Sequence, residues 1–382
     1  MSGADGVVVV GGSVAGIRTA RALREQGYDG PVRVVEAEAE VPYDKPPLSK
    51  GSVDADACVP LITLEEAEAL GIELVLRRRA VALDADRRRL TLDDGNVLSF
   101  DHLVVATGLT PRRAPYDVEG VLVLRTLADS RALREAIARS QQVLVIGAGF
   151  IGAEVASLAR RHGVGVTLVD PEPVPMGRVV GTELGGRFAA LHRRHGVDTR
   201  FGSTVTSLVR VGDGYRVLLS DGDVVAADAV VVGIGSEVNV GWLAGSGLLV
   251  DDGVVCDERG AALRAPGIHA VGDAARWAGV RVEHWTSAVD QAVCVARSIA
   301  HPDEPAAPAP PAYVWSDQYD WKIQLVGDRD VARLPEVVEE AEPFRLAATW
   351  HDAEGRITGG VTVNWPRESV RMRAALARGG AA

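Results

Sequence analysis

Residues 7–16 read VVVVGGSVAG, and residues 143–152 repeat the same pattern as VLVIGAGFIG. In each copy an apolar strand runs into a turn of small residues that opens a helix, and the strand after the helix ends on an acid, Glu36 or Asp170. Small residues let the backbone approach a pyrophosphate, amides at the helix N-terminus hold its charge, and the acid accepts hydrogen bonds from ribose hydroxyls. A single glycine-rich turn of this kind is equally compatible with an ordinary tight turn. Two complete units, each with strand, turn, helix and acid, predict two dinucleotide-binding domains.

The first turn departs from the usual glycine pattern, because Ser13 stands where the second glycine normally lies. Serine is small, and its hydroxyl can itself face a phosphate, so the turn keeps its predicted role.

A β-hairpin is predicted late in each unit, before a last apolar strand. The first hairpin pairs residues 89–92 with 96–100 and leads to a strand at 103–106, and the second pairs 215–219 with 224–225 and leads to a strand at 230–232. Strands that alternate with helices imply right-handed crossovers and a parallel sheet. The expected fold class is α/β, with two Rossmann-like domains that each carry an inserted β-hairpin or meander.

The end of the chain has a different pattern. Residues 302–312 are rich in proline and are predicted to form a stiff linker. After them, residues 313–327, 344–351 and 357–364 alternate like antiparallel strands, and residues 367–378 have a helical pattern. These features predict a small C-terminal α+β domain over residues 313–382.

Bulk composition narrows the class of protein. The chain has 382 residues, 47% of them hydrophobic and 24% charged, which is typical of packed multidomain proteins and not of disorder. A net charge of −11 argues against nucleic acid or an anionic membrane surface as a general partner. The sequence has no signal-peptide pattern and no long apolar run, so we expect a cytoplasmic protein.

Cysteine and histidine patterns predict neither a redox disulfide nor a metal site. Cys58, Cys256 and Cys294 lie far apart with no C-x-x-C pair, so we expect reduced thiols. His284 has no partner at metal-ligand or catalytic-triad spacing, which favours a structural role, and no metal is assigned.

Several short motifs beyond the two turns carry a family resemblance that covers nearly the whole chain. They are PYDKPPLSK at 42–50, ATG at 106–108, GFIGAE at 149–154, AVGD at 270–273, EHW at 283–285 and WSDQ at 315–318. With these motifs the sequence resembles the FAD-dependent ferredoxin reductases that serve bacterial oxygenases, the family of putidaredoxin reductase and biphenyl dioxygenase reductase. The PYDKPPLSK and WSDQ blocks are specific to this family rather than to flavoproteins in general.

The resemblance implies an oxidoreductase with FAD and NADH as cofactors. Hydride would pass from NADH to FAD, and single electrons would then pass to a [2Fe-2S] or similar small iron-sulfur ferredoxin that feeds a haem or Rieske oxygenase. A flavin suits this task because it accepts two electrons together and can release them one at a time. NADPH is the less favoured donor, because the Asp170 charge would repel its additional phosphate, although Arg178 lies close enough in sequence to serve such a group.

Two other functions remain open at this point. One is an NADH oxidase or a related flavoenzyme that passes electrons to peroxide or a disulfide, although the lack of a suitable cysteine pair argues against the thiol versions. The other is an NADH-responsive binding protein similar to apoptosis-inducing factor.

The resemblance also implies individual roles. Lys50 and Glu154 are the expected catalytic pair, with Lys50 near the flavin ring and Glu154 facing both Lys50 and the nicotinamide. The expected FAD-binding residues are Gly11, Ser13, Ala15, Gly16, Glu36, Lys45, Lys50, Val81, Ala106, Thr107, Gly108, Asp273, Trp285 and Trp315. The expected NADH-binding residues are Gly147, Gly149, Ile151, Gly152, Glu154, Asp170 and Gly235.

Simpler explanations exist for several of these residues. Lys50 and Glu154 are also compatible with a surface lysine and a helix-face glutamate. Asp273 is equally suited to cap a following helix, and Trp285 and Trp315 to fill the core. Lys45 stands where the family usually has arginine, so a bidentate phosphate contact is lost there.

The order of the motifs predicts an inserted domain. Asp273 belongs with the FAD motifs but follows the second turn, so residues 1–108 and 231–301 are expected to form an FAD-binding domain interrupted by an NADH-binding domain at 109–230. Two arginine runs, at 77–79 and 87–89, fit solvated positions, and we hypothesise alternatively that they attract an acidic ferredoxin.

Overall fold

The computed structural model describes residues 5–55, 57–114, 118–304 and 311–379. The chain divides into two compact units. The first contains the described parts of Met1–Lys45, Val59–Thr110 and Glu237–Ala312, and the second contains those of Pro46–Cys58, Pro111–Ser236 and Tyr313–Ala382. Most of the predicted proline-rich linker, residues 305–310, lies outside the described residues.

The described residues form strands β1 to β25 and helices α1 to α7. The strands are Val7–Val10 (β1), Val32–Glu36 (β2), Ile72–Leu76 (β3), Ala80–Asp84 (β4), Arg89–Leu92 (β5), Val97–Ser99 (β6), His102–Val105 (β7), Leu109–Pro111 (β8), Gln142–Ile146 (β9), Gly165–Asp170 (β10), Asp198–Phe201 (β11), Val205–Val211 (β12), Gly214–Leu219 (β13), Val224–Ala227 (β14), Ala229–Val232 (β15), Ser236–Val238 (β16), Val254–Cys256 (β17), Ile268–Ala270 (β18), Ala275–Trp277 (β19), Val280–Arg281 (β20), Tyr313–Gln318 (β21), Trp321–Gly327 (β22), Glu336–Glu340 (β23), Arg345–His351 (β24) and Ile357–Val363 (β25). The helices are Val14–Glu25 (α1), Leu64–Ala69 (α2), Leu127–Arg139 (α3), Phe150–Arg161 (α4), Gly177–Arg194 (α5), Trp285–Ala300 (α6) and Pro366–Gly379 (α7), and there are 3-10 helices at Pro46–Ser49, Gly241–Leu243 and Gly272–Ala274.

The first unit is built on a parallel sheet of five strands in the order β18-β7-β1-β2-β3. All four residues of β1 are buried, as expected for a central strand covered on both faces. On one face α1 and α6 pack together, and Ile17, Leu23, Val295 and Ala296 belong to the core cluster there. The parallel order brings the carboxyl ends of β1 and β7 to the same edge of the sheet.

An antiparallel meander, β4-β5-β6, is inserted in the first unit. The predicted hairpin is its second and third strand, and β4 adds a strand that the hairpin prediction did not include. The β4–β5 register shifts between Ala80 and Ala82, so Val81 lies at an irregular position.

The second unit repeats this plan with a parallel sheet ordered β11-β10-β9-β15 and a meander ordered β12-β13-β14. The Tyr215 hydroxyl on β13 donates to the carbonyl oxygen of Glu119 at 3.0 Å. Here too the predicted hairpin is part of a meander, because β12 pairs with β13 through residues 205–211.

The C-terminal region of the second unit is an antiparallel sheet ordered β21-β22-β25-β24-β23, with α7 against β22 and β25. The prediction of three strands was incomplete. Residues 313–327 form two strands, because the chain turns at Tyr319, which has φ of 53°, and Asp320. Strand β23 was missed because its sequence, EVVEE, has little apolar alternation. With these corrections, the predicted fold class is confirmed.

The C-terminal sheet shares a core with α5. Phe188 and Leu184 of that helix cluster with Trp321, Ile323 and Trp350 of the sheet, and these side chains are 5% exposed or less. None of the helices in the described ranges combines the length and apolar character needed to span a bilayer.

Candidate active site

The two glycine-rich turns have the same backbone geometry. Gly11 has φ of 110° and Gly147 has φ of 101°, values that favour glycine. A Cβ atom at Gly11 would overlap the carbonyl oxygen of Ala106, and one at Gly147 would overlap that of Gly233. Both turns therefore depend on glycine where two strand ends meet.

Each helix also begins against its turn. A Cβ atom at Gly16 would overlap the carbonyl oxygen of Gly11, and one at Gly152 would overlap that of Gly147. The turn and the helix N-terminus together form what we call a dinucleotide cradle. These glycines permit the close approach of helix and strand on which each cradle depends. By contrast, a Cβ atom at Gly149 would meet nothing within 4 Å, so space remains in front of the second turn.

The acids that end β2 and β10 are held by the backbone. Glu36 Oε2 accepts the Gly12 amide at 2.6 Å, and Asp170 Oδ2 accepts the Ala148 amide at 2.6 Å. The other carboxylate oxygen of each acid accepts a hydrogen bond from the amide two residues later. Glu36 Oε1 accepts from the Glu38 amide at 2.9 Å, and Asp170 Oδ1 accepts from the Glu172 amide at 2.8 Å. Each carboxylate is fixed beside its turn and keeps lone pairs for further donors, as a ribose site requires.

The helix N-termini behind the turns are not capped by side chains. Ser13 and Gly149 occupy the N-cap positions of α1 and α4, and neither makes a side-chain cap in the described structure. The first-turn amides are therefore available to an anion, whose charge the helix dipole also favours. Together with the open space at Gly149, this donor set fits a dinucleotide pyrophosphate.

The predicted FAD-binding residues of the first unit gather at one edge of its sheet. A Cβ atom at Gly272 would contact Ala15 at 3.0 Å, and the Gly272 amide donates to Gln291 at 2.8 Å. Thr107 is tied to Asn239 by two hydrogen bonds, one of 2.6 Å and one of 3.1 Å. Ala106 and Thr107, with Gly108 directly after them, therefore lie beside the first turn.

Lys45 lies at a small open cleft. Its Nζ is 2.5 Å from Glu38 Oε1 and 3.0 Å from the Tyr43 hydroxyl, which itself donates to Glu38. The cleft is lined by Gly12, Ser13, Glu36, Glu38, Glu40, Pro42, Tyr43 and Lys45. The lysine is thus beside the first turn, although its charge is directed to Glu38.

Three other predicted FAD residues differ in burial and in the secondary structure that carries them. Val81 on β4 has a 43% exposed side chain. Asp273 lies within a 3-10 helix, while α6 begins only at Trp285, so the alternative role of Asp273 as an α-helix cap is not observed. Trp315 is half-buried on β21 and stacks on Tyr313 with ring centroids 6.1 Å apart.

A buried polar cluster in the second unit centres on Glu154 of α4. This side chain is 4% exposed, and its Oε1 lies 2.5 Å from Lys50 Nζ. The Ser316 hydroxyl donates to Oε1 at 2.7 Å, and the Ser49 hydroxyl donates to Oε2. Gln318 Nε2 donates in turn to the Ser316 oxygen at 3.3 Å. The carboxylate is thus held by one cation and two hydroxyls, and the simpler explanation of a surface lysine and a separate helix-face glutamate is wrong.

Ser49, Ser316 and Gln318 had no assigned role in the sequence analysis, although all three lie inside the family-specific blocks at 42–50 and 315–318. Their position inside those blocks was the available signal.

The other predicted residues of the second nucleotide site lie around the second turn. Ile151 is 41% exposed in the first turn of α4, and Gly235, with φ of 100°, follows β15.

A family comparison identifies this architecture. Residues 5–292 match the family described as pyridine nucleotide-disulphide oxidoreductase, and residues 313–382 match the reductase C-terminal family. The chain belongs to the pyridine nucleotide-disulphide oxidoreductase family. Membership confirms the family resemblance inferred from the motifs.

Individual relatives of this oxidoreductase cover almost its whole length. It is 36% identical to rhodocoxin reductase of Rhodococcus erythropolis, over 97% of this chain and 89% of that protein. It is 35% identical to the ferredoxin–NAD(+) reductase component of the p-cumate 2,3-dioxygenase system of Pseudomonas putida, over 96% of this chain and 92% of that protein. The crystal structure of a covalent putidaredoxin reductase–putidaredoxin complex matches with a TM-score of 0.90 and 32% identity, over 98% of this chain and 93% of that one.

The cysteines of this oxidoreductase do not form a disulfide. All three are free. Burial raises the pKa of the Cys256 thiol to about 12 and also raises that of Cys294, which disfavours the reactive thiolate at both. Within the described ranges, no cluster of three or more metal-ligating side chains of the His, Cys, Asp and Glu types occurs.

Proposed function

We propose that this oxidoreductase uses FAD to pass electrons from NADH to a small iron-sulfur ferredoxin, which feeds a haem or Rieske oxygenase. The observation that carries the proposal is the pair of matching dinucleotide cradles, each with its own acid, in a protein whose described residues contain no disulfide. The ferredoxin–NAD(+) reductase named among its relatives and the putidaredoxin complex of its structural neighbour support the choice of acceptor.

The first cradle would hold FAD. Gly11, Ser13, Ala15 and Gly16 would face its pyrophosphate, and Glu36 its ribose. Lys45, Val81, Ala106, Thr107, Gly108, Asp273 and Trp285 would complete the site. Trp315 of β21 is also proposed as an FAD residue, on the family resemblance alone. The fit rests on the uncapped amides of α1 and on the fixed carboxylate of Glu36.

The second cradle would hold NADH. Gly147, Gly149, Ile151, Gly152 and Gly235 would surround the dinucleotide, and Asp170 would accept its ribose hydroxyls. Asp170 favours NADH because a 2′-phosphate would meet its negative charge. Glu172 supports the same preference, since its Oε1 binds Arg178 Nε at 2.8 Å and Nη2 at 2.6 Å and so occupies the nearby cation.

Lys50 and Glu154 would serve the reaction between the two cofactors. When bound, FAD supplies the ability to accept two electrons as a hydride and release them singly. Lys50 would place a positive charge where negative charge accumulates, and Glu154 would hold that ammonium in place. The 2.5 Å contact and the burial of Glu154 support this pairing.

The cysteines bear on two further points. No two cysteines of the described residues form a disulfide, which favours direct delivery of electrons to a one-electron acceptor over a thiol route. Cysteines that form no disulfide within the described ranges also suit a reducing compartment, and a cytoplasmic location is part of the proposal.

Reduction kinetics of the reconstituted protein test the function. FAD-loaded protein should bleach when NADH is added without oxygen, and cytochrome c should then be reduced rapidly only when a [2Fe-2S] ferredoxin is supplied. Flavin that stays oxidised under excess NADH would contradict the donor assignment. Equal turnover with oxygen alone would instead indicate an oxidase.

The ionic-strength dependence of the ferredoxin-dependent rate tests the arginine hypothesis. In the first unit, Arg78 pairs with Asp94 and Arg87 with Asp84, so both charges are partly offset locally. A rate that falls as salt is added would support attraction of an acidic ferredoxin, and a flat response would remove that attraction.

A further inference from the structure

Residues 46–52 carry Ser49 and Lys50 but form little regular structure. The segment begins with two prolines, which have no amide hydrogen, and contains only the short 3-10 helix Pro46–Ser49. Its internal backbone bonds include one from the Lys50 amide to the Pro47 carbonyl at 3.1 Å. Such a segment needs outside partners to keep its carbonyl groups satisfied.

Two side chains of α3 provide those partners. The Ser130 hydroxyl donates to the Leu48 carbonyl at 2.8 Å, and Arg134 Nη2 donates to the Lys50 carbonyl at 2.7 Å. Arg134 also donates to the carbonyls of Ser52 and, at 3.4 Å, Pro47. Four carbonyl groups of one loop are thus held from a single helix face.

The two donors are themselves rigidly placed. Positions 130 and 134 are one helical turn apart, and Arg134 Nε donates to the Ser130 oxygen at 3.2 Å. Ser130 is fully buried and Arg134 is 6% exposed. Leu133 and Ile137 of the same helix are also fully buried, so the helix that carries the guanidinium is anchored in the core.

We propose that Arg134, supported by Ser130, is a positioning residue for flavin reduction, because it fixes the main chain of residues 47–52 so that Ser49 and Lys50 together hold Glu154. This inference rests on the proposed function of the Lys50–Glu154 pair. Arginine suits the position, since its planar fork donates in several fixed directions and it stays charged when buried. Lysine would keep the charge but lose the fork.

Selective labelling of lysine tests the positioning without any cofactor. The chain has lysine only at positions 45, 50 and 322, and Lys322 is exposed. In wild-type protein we expect an amine-acylating reagent to modify Lys322 much faster than Lys50, as measured by mass spectrometry. In R134Q the Lys50 rate should rise about tenfold while the Lys45 and Lys322 rates stay the same, because release of the loop frees Lys50 from Glu154.

Anaerobic stopped-flow reduction by NADH provides the second readout. We expect R134Q to lower the limiting rate of flavin reduction about 30-fold, R134K to lower it less, and S130A about threefold, with little change in the NADH concentration at half-saturation. Added guanidinium ion at millimolar concentration should restore part of the rate in R134A. R139Q is the matched control, since Arg139 lies on the same helix but is exposed and pairs with Glu135.

The outcomes separate the two proposals. Unchanged Lys50 labelling in R134Q and S130A, together with wild-type reduction rates, would overturn the positioning role. If R134Q proves unfolded by circular dichroism, S130A and R134K decide the question by the same two readouts. If NADH cannot reduce the flavin bound to the wild-type protein, the proposed function is wrong. The lysine-labelling result would still report on how Arg134 positions the loop.

Discussion

The indole nitrogen of Trp285 donates to Asp44 Oδ1 at 2.8 Å, which joins two motifs that are 241 positions apart. Asp44 precedes Lys45 in the loop beside the first turn, and Trp285 is the first residue of α6. Burial raises the pKa of the Asp44 carboxyl, and the indole hydrogen bond acts in the opposite direction. The bond therefore fixes the tryptophan ring against the loop that lies next to the first cradle.

Replacement of Asp44 should loosen FAD. D44A removes this acceptor of the indole, so we expect FAD affinity to fall about tenfold, the equivalent of one hydrogen bond of about 1.4 kcal/mol. D44N keeps an acceptor oxygen and is the matched control, with affinity close to wild type. Fluorescence titration of the apoprotein measures both, and equal affinities for D44A and wild type would show that the ring does not depend on this bond.

Loss of Lys50 should destabilise the fold through Glu154. K50M would leave a buried carboxylate supported only by hydroxyls, which costs on the order of 3 kcal/mol of unfolding free energy. The double variant K50M/E154Q should be more stable than K50M, because it removes the unpaired charge. Urea unfolding followed by tryptophan fluorescence checks this order, with K322M as an exposed-lysine control. An additive double variant would contradict the coupling.

Two glycines of the second turn should respond differently to alanine. Gly149 has φ of −76° and ψ of −167° with open space around it, so G149A should fold normally yet weaken NADH binding about tenfold by filling the cradle. G152A would press a methyl group against the Gly147 carbonyl and should lower stability by about 1–3 kcal/mol. Melting temperatures and NADH titrations distinguish the two effects, and a reversed pattern would contradict the assigned roles.

Coenzyme preference should shift when Glu172 loses its charge. E172Q releases Arg178 for a 2′-phosphate, so we expect the kcat/KM ratio of NADH over NADPH to fall about fivefold, a modest change because the ion pair is exposed. The double variant E172Q/R178Q should restore the wild-type ratio. If E172Q leaves the ratio unchanged, Asp170 alone carries the preference.

A buried histidine should make stability fall in acid. Burial lowers the pKa of His192 to about 4, and nearby His195 acts in the same direction, while Nδ1 of His192 lies 2.9 Å from the Tyr319 hydroxyl. Below its ordinary pKa of about 6.5 the unfolded chain binds a proton that the folded chain does not, so this group destabilises the fold as pH decreases toward 4. Between pH 7.5 and 5 the loss amounts to about 2 kcal/mol.

Unfolding at the two pH values tests this assignment. H192Q cannot gain the proton and should show a smaller loss of stability between pH 7.5 and 5 than wild type. H162Q is the control, since His162 is exposed at the C-terminal end of α4. Equal pH dependence of H192Q and wild type would assign the acid sensitivity to other groups.

Local patterns in the sequence predicted much of the fold. Each glycine turn, its helix and its acid fall within about 30 neighbouring residues, so the spacing of one βαβ unit reveals them. The first strand of each meander, β4 or β12, and strand β23 were not predicted, because polar or weakly alternating edge strands carry little periodic signal. For Lys50 and Glu154, the motifs of the family resemblance supplied the candidates, while their mutual contact needed the structure.

The two cradles and their acids follow from the chain alone, since every part of each lies close in sequence and obeys the geometry of a strand, a turn and a helix. The surroundings of Glu154 do not follow from the sequence alone. Its partners Lys50, Ser49 and Ser316 are 104, 105 and 162 positions away, and the donors that hold the Lys50 loop come from α3. No residue spacing encodes such contacts, because they exist only after separate segments pack into one core and bury a carboxylate that must then find donors.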